Sequence, residues 1–301
     1  MDLDEVGSRL ASVVAITPTP FTDDNTIDAP TLERVVGRLT DGGISVLTVN
    51  GNTGEFYALA SAETRTLVDL VAEAKPEETL LVAGVGFDVA TAIDSAEYAR
   101  DRGAAAIMVH QPVHPYVSRA GWVDYHRAIA AALPDVGVIP YVRNTRITAD
   151  DFGALADACP NVLAVKYAVP DPVRFATVAR AAGVDRFTWI AGLAELSAPG
   201  YAAVGATGFT SGLASVAPEL SLRMHAALTV GDFGAAMRVW DTVREFEELR
   251  LARDGADNVS VIKEALHQLG FGSADVRPPA SRLDPECREQ VSKILAALNA
   301  R

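Results

Sequence analysis

Cysteine is scarce in this chain: Cys159 and Cys287 are the only two in 301 residues. Two separated cysteines supply neither a disulfide framework nor a cluster of metal ligands, so a packed core must hold the fold. Long apolar runs are missing too, and none approaches the roughly 18 residues of a membrane span. The opening residues, M-D-L-D-E-V-G-S-R-L, lack a basic stretch followed by an apolar one, so no secretory leader is expected. Positive charge is in deficit, with 26 basic against 39 acidic residues and a net charge of −13. Such a surface repels a phosphate backbone and argues against nucleic acid as a general partner. A small anion remains possible, because a pocket can be locally positive inside an acidic protein. The cytoplasm is the expected compartment, with no membrane partner.

What the chain does have is alternation. Short apolar runs at 13–16, 44–49, 80–85, 105–109 and 136–141 read as strands, as do the run ending at Lys166 and those at 187–191 and 206–210. Longer amphipathic segments separate them. Leu32, Val35, Val36 and Leu39 recur at i, i+3, i+4 and i+7, the face of a helix. Ser61 and Asp88 are expected as N-caps, and Thr148 with Asp151 as a capping box. Helices are also expected over 122–133 and from Pro218. Eight strand–helix units in about 220 residues predict a (β/α)₈ TIM barrel over residues 1–230. Residues 231–301 carry no strand pattern. Met237, Trp240, Val243, Phe246 and Leu249 predict a long helix there, with two more near Asn258 and Asp284. This three-helix extension packs on the barrel or on a neighbouring subunit.

The segment Asn161–Pro170, N-V-L-A-V-K-Y-A-V-P, is the centre of the pattern. An apolar strand ends on a single lysine, Lys166, and Pro170 follows. Burial of a lone ammonium disfavours its charged form and leaves a nucleophilic amine. A strand-end lysine that snorkels to water is the alternative. Active sites of α/β barrels lie at the C-terminal ends of the strands, and other candidates fall there with Lys166. They are the loop Gly51-Asn52-Thr53-Gly54-Glu55, the stretch from His110 to Tyr116, and Tyr141. Gly192 and the segment Gly208–Gly212, which includes Thr210, complete the set. A loop with two glycines can turn backbone N–H groups toward a carboxylate or phosphate, although it can also be an ordinary turn. Tyr141 is either a proton shuttle or an amphipathic aromatic at a strand end. His110 and His114 are separated by Pro112, so they share no helix face and lack a third metal ligand. They are expected to line a pocket, with His126 on a helix surface or packed beneath it.

Taken together, T-P-T-P-F (17–21), G-N-T-G-E (51–55), Tyr141, Arg146 and V-K-Y (165–167) resemble the dihydrodipicolinate synthase / N-acetylneuraminate lyase family along essentially the whole chain. The resemblance implies a TIM barrel, commonly tetrameric, that performs class I aldolase chemistry on a 2-keto acid without a metal or organic cofactor. It implies that Lys166 forms the Schiff base and that Tyr141 shuttles protons. Asn52 and Thr53 would hold the keto-acid carboxylate through their loop, and Arg146 would meet the substrate at the pocket entrance. His110, His114, Gly192, Gly208 and Thr210 would complete the substrate-binding set.

Two departures bear on the reaction. The family's synthases carry a relay threonine where this chain has Asn52, whose amide cannot hand on a proton as a hydroxyl does. The run H-Q-P-V-H-P-Y (110–116) also lacks a tyrosine in register with theirs. The loop and the G-F-T-S-G segment (208–212) look more like the sugar-acid branch, such as 5-dehydro-4-deoxyglucarate dehydratase. A dihydrodipicolinate synthase is the first alternative and a non-catalytic keto-acid-binding barrel the second. The expected partners are a small keto acid and further copies of the chain.

Overall fold

The apolar runs become short parallel strands, and these close into a ring. The computed structural model describes residues 1–299. The first half contains α1 (Leu3–Arg9), β1 (Val13–Ile16), α2 (Ala29–Asp41), β2 (Val46–Val49), α3 (Ser61–Ala74), β3 (Leu80–Val85), α4 (Val89–Asp101) and β4 (Ala106–Val109). It continues with α5 (Arg119–Ala132), β5 (Gly137–Val142), α6 (Ala149–Ala158), β6 (Ala164–Tyr167), α7 (Pro172–Ala182), β7 (Thr188–Ala191), α8 (Ala194–Ala202), β8 (Gly208–Ser211) and α9 (Pro218–Thr229). Strand order follows chain order, and β1 pairs with both β2 and β8, with Val13 opposite Phe209. The fold is a TIM barrel.

Period-two alternation divides the core into two layers. Val14, Val46, Val82, Met108, Ile139 and Ile190 fill the barrel interior. Their sequence neighbours, among them Val13, Leu47, Ile107 and Val165, pack outward against the helices. On β6 this phase puts Ala164, Lys166 and Ala168 inside, and Val165, Tyr167 and Val169 outside. Tyr167 therefore belongs to the barrel–helix layer, with Phe175 5.3 Å away, and not to the mouth.

Helix α1 was not foreseen. It is seven residues long, too short for a readable period, and its signal is Asp2, whose carboxylate accepts the Glu5 N–H at 2.8 Å. Its Val6, with Leu10 just beyond it, joins the interior cluster and closes the bottom of the barrel. Two capping expectations hold: Asp88 accepts the Thr91 N–H at 3.0 Å, and Asp151 accepts the Thr148 N–H at 2.8 Å. Ser61 is the first helical residue and not the cap. That place is taken by Ala60, whose N–H is held by the Glu63 carboxylate at 2.9 Å. β8 begins two residues later than expected, so Gly208 lies at its bottom end.

The C-terminal extension is three helices: α10 (Phe233–Gly255), α11 (Asn258–Gln268) and α12 (Pro285–Asn299). α10 packs against α8 and α9, and α11 against α10. Near its end α10 breaks at Ala252, Arg253 and Asp254. The last two stand in the left-handed region at φ 54° and 58°, which is strained for side-chain-bearing residues. Among the described residues no helix is long and apolar enough to cross a membrane.

Trp189 is fully buried on β7 and meets the rings of Phe152, Phe175 and Phe187 at 5.4–5.6 Å. Trp189→Ala should therefore cost about 3–5 kcal/mol, and Trp189→Phe less, in urea denaturation followed by far-UV circular dichroism.

Candidate active site

Strand pairing makes the first contact of the site. Tyr141 on β5 and Lys166 on β6 are register partners and both turn inward, so Lys166 Nζ sits 4.3 Å from the centre of the Tyr141 ring. Each is 4% exposed. No carboxylate pairs with Lys166 among the described residues. Burial, reinforced by the Arg143 charge, pulls its ammonium from 10.5 down to about 7. Burial also pushes the Tyr141 phenol up, which keeps it a proton donor near neutrality.

Both side chains open onto a cavity of about 540 Å³ at the C-terminal mouth of the barrel. The loop after β2 forms one wall. Its chain folds tightly: Gly54 N–H donates to Gly51 O at 3.0 Å, Glu55 N–H to Asn52 O at 3.0 Å, and Thr19 Oγ1 to Gly54 O at 2.7 Å. A Cβ at Gly51 would come within 2.4 Å of Ile16 Cγ2, and one at Gly54 within 2.8 Å of Thr17 O. Close approach explains both glycines. Among the described residues the N–H groups of Asn52 and Thr53 donate to nothing, so the loop offers two adjacent donors beside Lys166. Asn52 Nδ2 donates to the Tyr141 hydroxyl at 3.3 Å. Gly192 and Thr210 line the opposite wall. A Cβ at Gly192 would fall 3.1 Å from Lys166 Cγ, so glycine keeps the lysine accessible.

Four expected residues do not join this group. His110 is fully buried behind the loop. Its Nε2–H donates to Asn50 O at 2.8 Å and its ring stacks on Phe56 at 4.1 Å. Burial holds its pKa down at about 3, so it is a neutral packing residue. His114 is exposed, and its Nδ1 accepts the Tyr116 N–H at 3.1 Å. Arg146 lies outside the cavity, because Asn144 Oδ1 accepts its N–H at 3.0 Å and its guanidinium donates to Val117 O at 2.7 Å. Gly208 packs against Leu10 O and Ser12 O at the closed end of the barrel. His126 is buried, with its Nδ1–H on Trp122 O at 2.8 Å, so of the two expected placements it takes the packed one. Among the described residues no three His, Cys, Asp or Glu side chains are arranged to hold a metal ion.

Arg143 takes the place at the cavity that was expected of Arg146. It follows Tyr141 by two residues, so strand alternation carried one step past β5 was the signal that could have found it. Glu247, Arg250 and Asn258 come from α10 and α11 and form the roof. Nothing local in the sequence marks them.

With this geometry in place, the match to known proteins is direct. The model of the dihydrodipicolinate synthetase family matches residues 9–298. The chain belongs to this family. It is 31% identical over 285 residues to a probable 5-dehydro-4-deoxyglucarate dehydratase from Rhodococcus opacus, covering 93% of each chain. A second protein so named, from Saccharopolyspora erythraea, is 32% identical over 285 residues, 93% of this chain and 91% of the relative. A dihydrodipicolinate synthase crystal structure from Oceanobacillus iheyensis superposes with a TM-score of 0.95 at 37% identity, covering 100% of both chains.

In this family member the extension also holds the glycine loop in place. Glu55 stands at φ 60° as the last residue of the loop. Lys263 of α11 donates to its Oε1 at 2.6 Å, with side-chain exposures of 2% and 3%. The Arg277 N–H donates to its Oε2 at 2.7 Å, and the Arg277 guanidinium grips Glu63 with two bonds of 2.7 Å. Lys263 and Arg277 both sit over the Phe21 ring, at 4.1 and 4.2 Å. Burial lowers the Lys263 pKa despite its partner, so the pair specifies geometry more than it adds net stability. Lys263→Met should cost about 3–5 kcal/mol by leaving Glu55 buried and unpaired, and the double variant Glu55→Gln/Lys263→Met should recover most of that in urea denaturation.

Proposed function

We propose that the protein is a Schiff-base-forming lyase acting on a 2-keto acid with a polar distal end, a keto-sugar diacid foremost. The observation that carries this reading is Lys166: a desolvated amine without a counter-ion, beside a phenol and two unoccupied loop N–H groups. The loop N–H groups of Asn52 and Thr53 receive the keto-acid carboxylate and fix the carbonyl against Nζ. The neutral amine adds to the carbonyl carbon. Tyr141 gives a proton to the departing oxygen, which leaves as water, and a cationic imine remains. The imine draws electrons from the adjacent carbon. A proton lost there yields an enamine, whose electron pair expels a hydroxyl from the next carbon in a dehydration. Tyr141 is the group within reach to move these protons. Arg143 and the roof residues Glu247, Arg250 and Asn258 meet the distal end, with Thr210 and Gly192 on the wall.

The similarity to 5-dehydro-4-deoxyglucarate dehydratases and the Asn52 amide support dehydration of a sugar acid. The 37% identity to a dihydrodipicolinate synthase favours a second reading, condensation of pyruvate with an aldehyde. Asn52 weighs against that reading, because its amide binds the Tyr141 hydroxyl without being able to relay a proton. We further infer that no metal or organic cofactor takes part, that the protein works in the cytoplasm as a homo-oligomer, and that the barrel (1–230) and extension (231–301) act as one catalytic unit.

Borohydride reduction in the presence of pyruvate, followed by peptide mapping, should place the adduct on Lys166, and EDTA should leave the yield unchanged. An adduct absent with pyruvate and with longer keto acids overturns the covalent mechanism in favour of a binding protein. The trapping rate should rise with pH and level off just above about 7, where Lys166 is neutral, whereas an ordinary lysine would still be gaining near pH 10. Tyr141→Phe should slow turnover by about 10²–10⁴-fold with the fold intact. Lys166→Met should abolish trapping. It should also raise Tm by a few degrees at neutral pH, because the folded state then no longer holds down the pKa of a buried amine.

A further inference from the structure

Behind the Gly192 wall, Glu195 is buried completely, a carboxyl that the reaction above does not use. It lies in the first turn of α8, while its neighbours Ala194 and Ser197 line the cavity. Its Oε1 accepts two hydroxyls, Ser211 Oγ of β8 at 2.6 Å and Ser221 Oγ of α9 at 2.5 Å. Ser211 Oγ in turn accepts the Ala214 N–H at 2.8 Å. The second oxygen, Oε2, has no partner among the described residues. The charged groups that face Glu195 are Glu247 and Arg250 of α10. These two are bonded to each other at 2.6 Å, are almost fully buried, and line the cavity roof. Arg250 gives two further N–H groups to Asn258, with Nη2 on Oδ1 at 3.2 Å and Nε on the backbone oxygen at 3.4 Å. Glu247 and Arg250 cancel each other, so the charge of the cluster is the charge of Glu195.

We propose that Glu195 is a positioning residue: its proton keeps the Glu247–Arg250 roof electrically neutral, and loss of that proton turns the roof negative against the distal carboxylate of a keto diacid. This rests on the imine reading and names the feature of the substrate to which the roof responds. Burial, reinforced by Glu247, holds the Glu195 carboxyl up at about 7, so the proton is present on the acid side of neutrality. On ionisation the proton goes to solvent and the electron pair stays on the carboxylate. The new negative charge then faces the substrate across a poorly solvated wall, where screening is weak. A monocarboxylate such as pyruvate, held at the loop and Lys166, has no group at the roof and is insensitive.

The test compares half-saturating concentrations of pyruvate and 2-oxoglutarate in borohydride trapping, from about pH 6 to about pH 9, across the neutral range where Lys166 also titrates. Lys166 acts on both probes alike, so pyruvate is the internal control. For the wild type, the 2-oxoglutarate value should rise about three- to tenfold relative to pyruvate as pH increases. Glu195→Gln should abolish that rise and leave pyruvate trapping unchanged. Ser221→Ala removes a hydroxyl that favours the ionised form, so it should move the rise to higher pH. Parallel behaviour of the two probes in the wild type overturns the proposal, as does a rise retained in Glu195→Gln or unmoved in Ser221→Ala. If no adduct forms with either probe on the wild type, the imine reading itself fails, an outcome distinct from these.

Discussion

Closure of the sheet between β1 and β8 is the constraint on which the rest depends. As an open sheet these strands of four to six residues would leave two edges of unpaired backbone groups. Pairing Val13–Ala15 with Phe209–Ser211 removes both edges and completes an interior that the inward half of every strand can fill. The same closure fixes where chemistry occurs. Lys166, Tyr141, Thr53 and Thr210 come from four strands or strand ends, and only a closed ring aims them into one cavity.

Within that ring, desolvation does most of the chemical tuning. The same burial that lowers Lys166 raises Tyr141 and Glu195 and holds His110 neutral. Each shift favours an uncharged form. The cavity therefore presents a nucleophilic amine, a proton-bearing phenol and amide donors, with formal charge confined to Arg143 and to polar groups of the roof. Such an interior favours a substrate that brings its own anionic groups and neutralises them on fixed donors.

The C-terminal helices turn this barrel into a site. α10 and α11 supply the roof, and Lys263 reaches down to Glu55 at the end of the glycine loop. A residue in the left-handed region is strained, and here the surroundings over-determine it: two bonds to the Glu55 carboxylate come from the extension. The loop that walls the cavity is thus shaped from behind by residues more than 200 positions away in the chain. The break at Arg253 and Asp254 lies at the same mouth, tied by Arg253 to Asp257 at 2.7 Å and to Asp284 at 3.2 Å.

Local periodicity was enough to read all eight strands, most helices and the three-helix extension, because side-chain alternation and the 3.6-residue repeat are properties of neighbouring residues. Lys166, Tyr141, Asn52, Thr53, Gly192 and Thr210 were also legible, since each stands at a strand end or in the tight loop after β2. α1 escaped because seven residues carry too little period. Arg146 and Gly208 were misplaced because a shift of two or three residues at a strand end reverses whether a group faces the mouth, the floor or the solvent. By itself, then, the sequence determined the order of elements, the barrel class and the lysine at its centre. Only the tertiary structure decided that Lys166 is dry, that Arg143 and not Arg146 faces it, and that Glu195, Glu247 and Arg250 meet. Burial and charge proximity depend on residues far apart in the chain, and no local pattern encodes them.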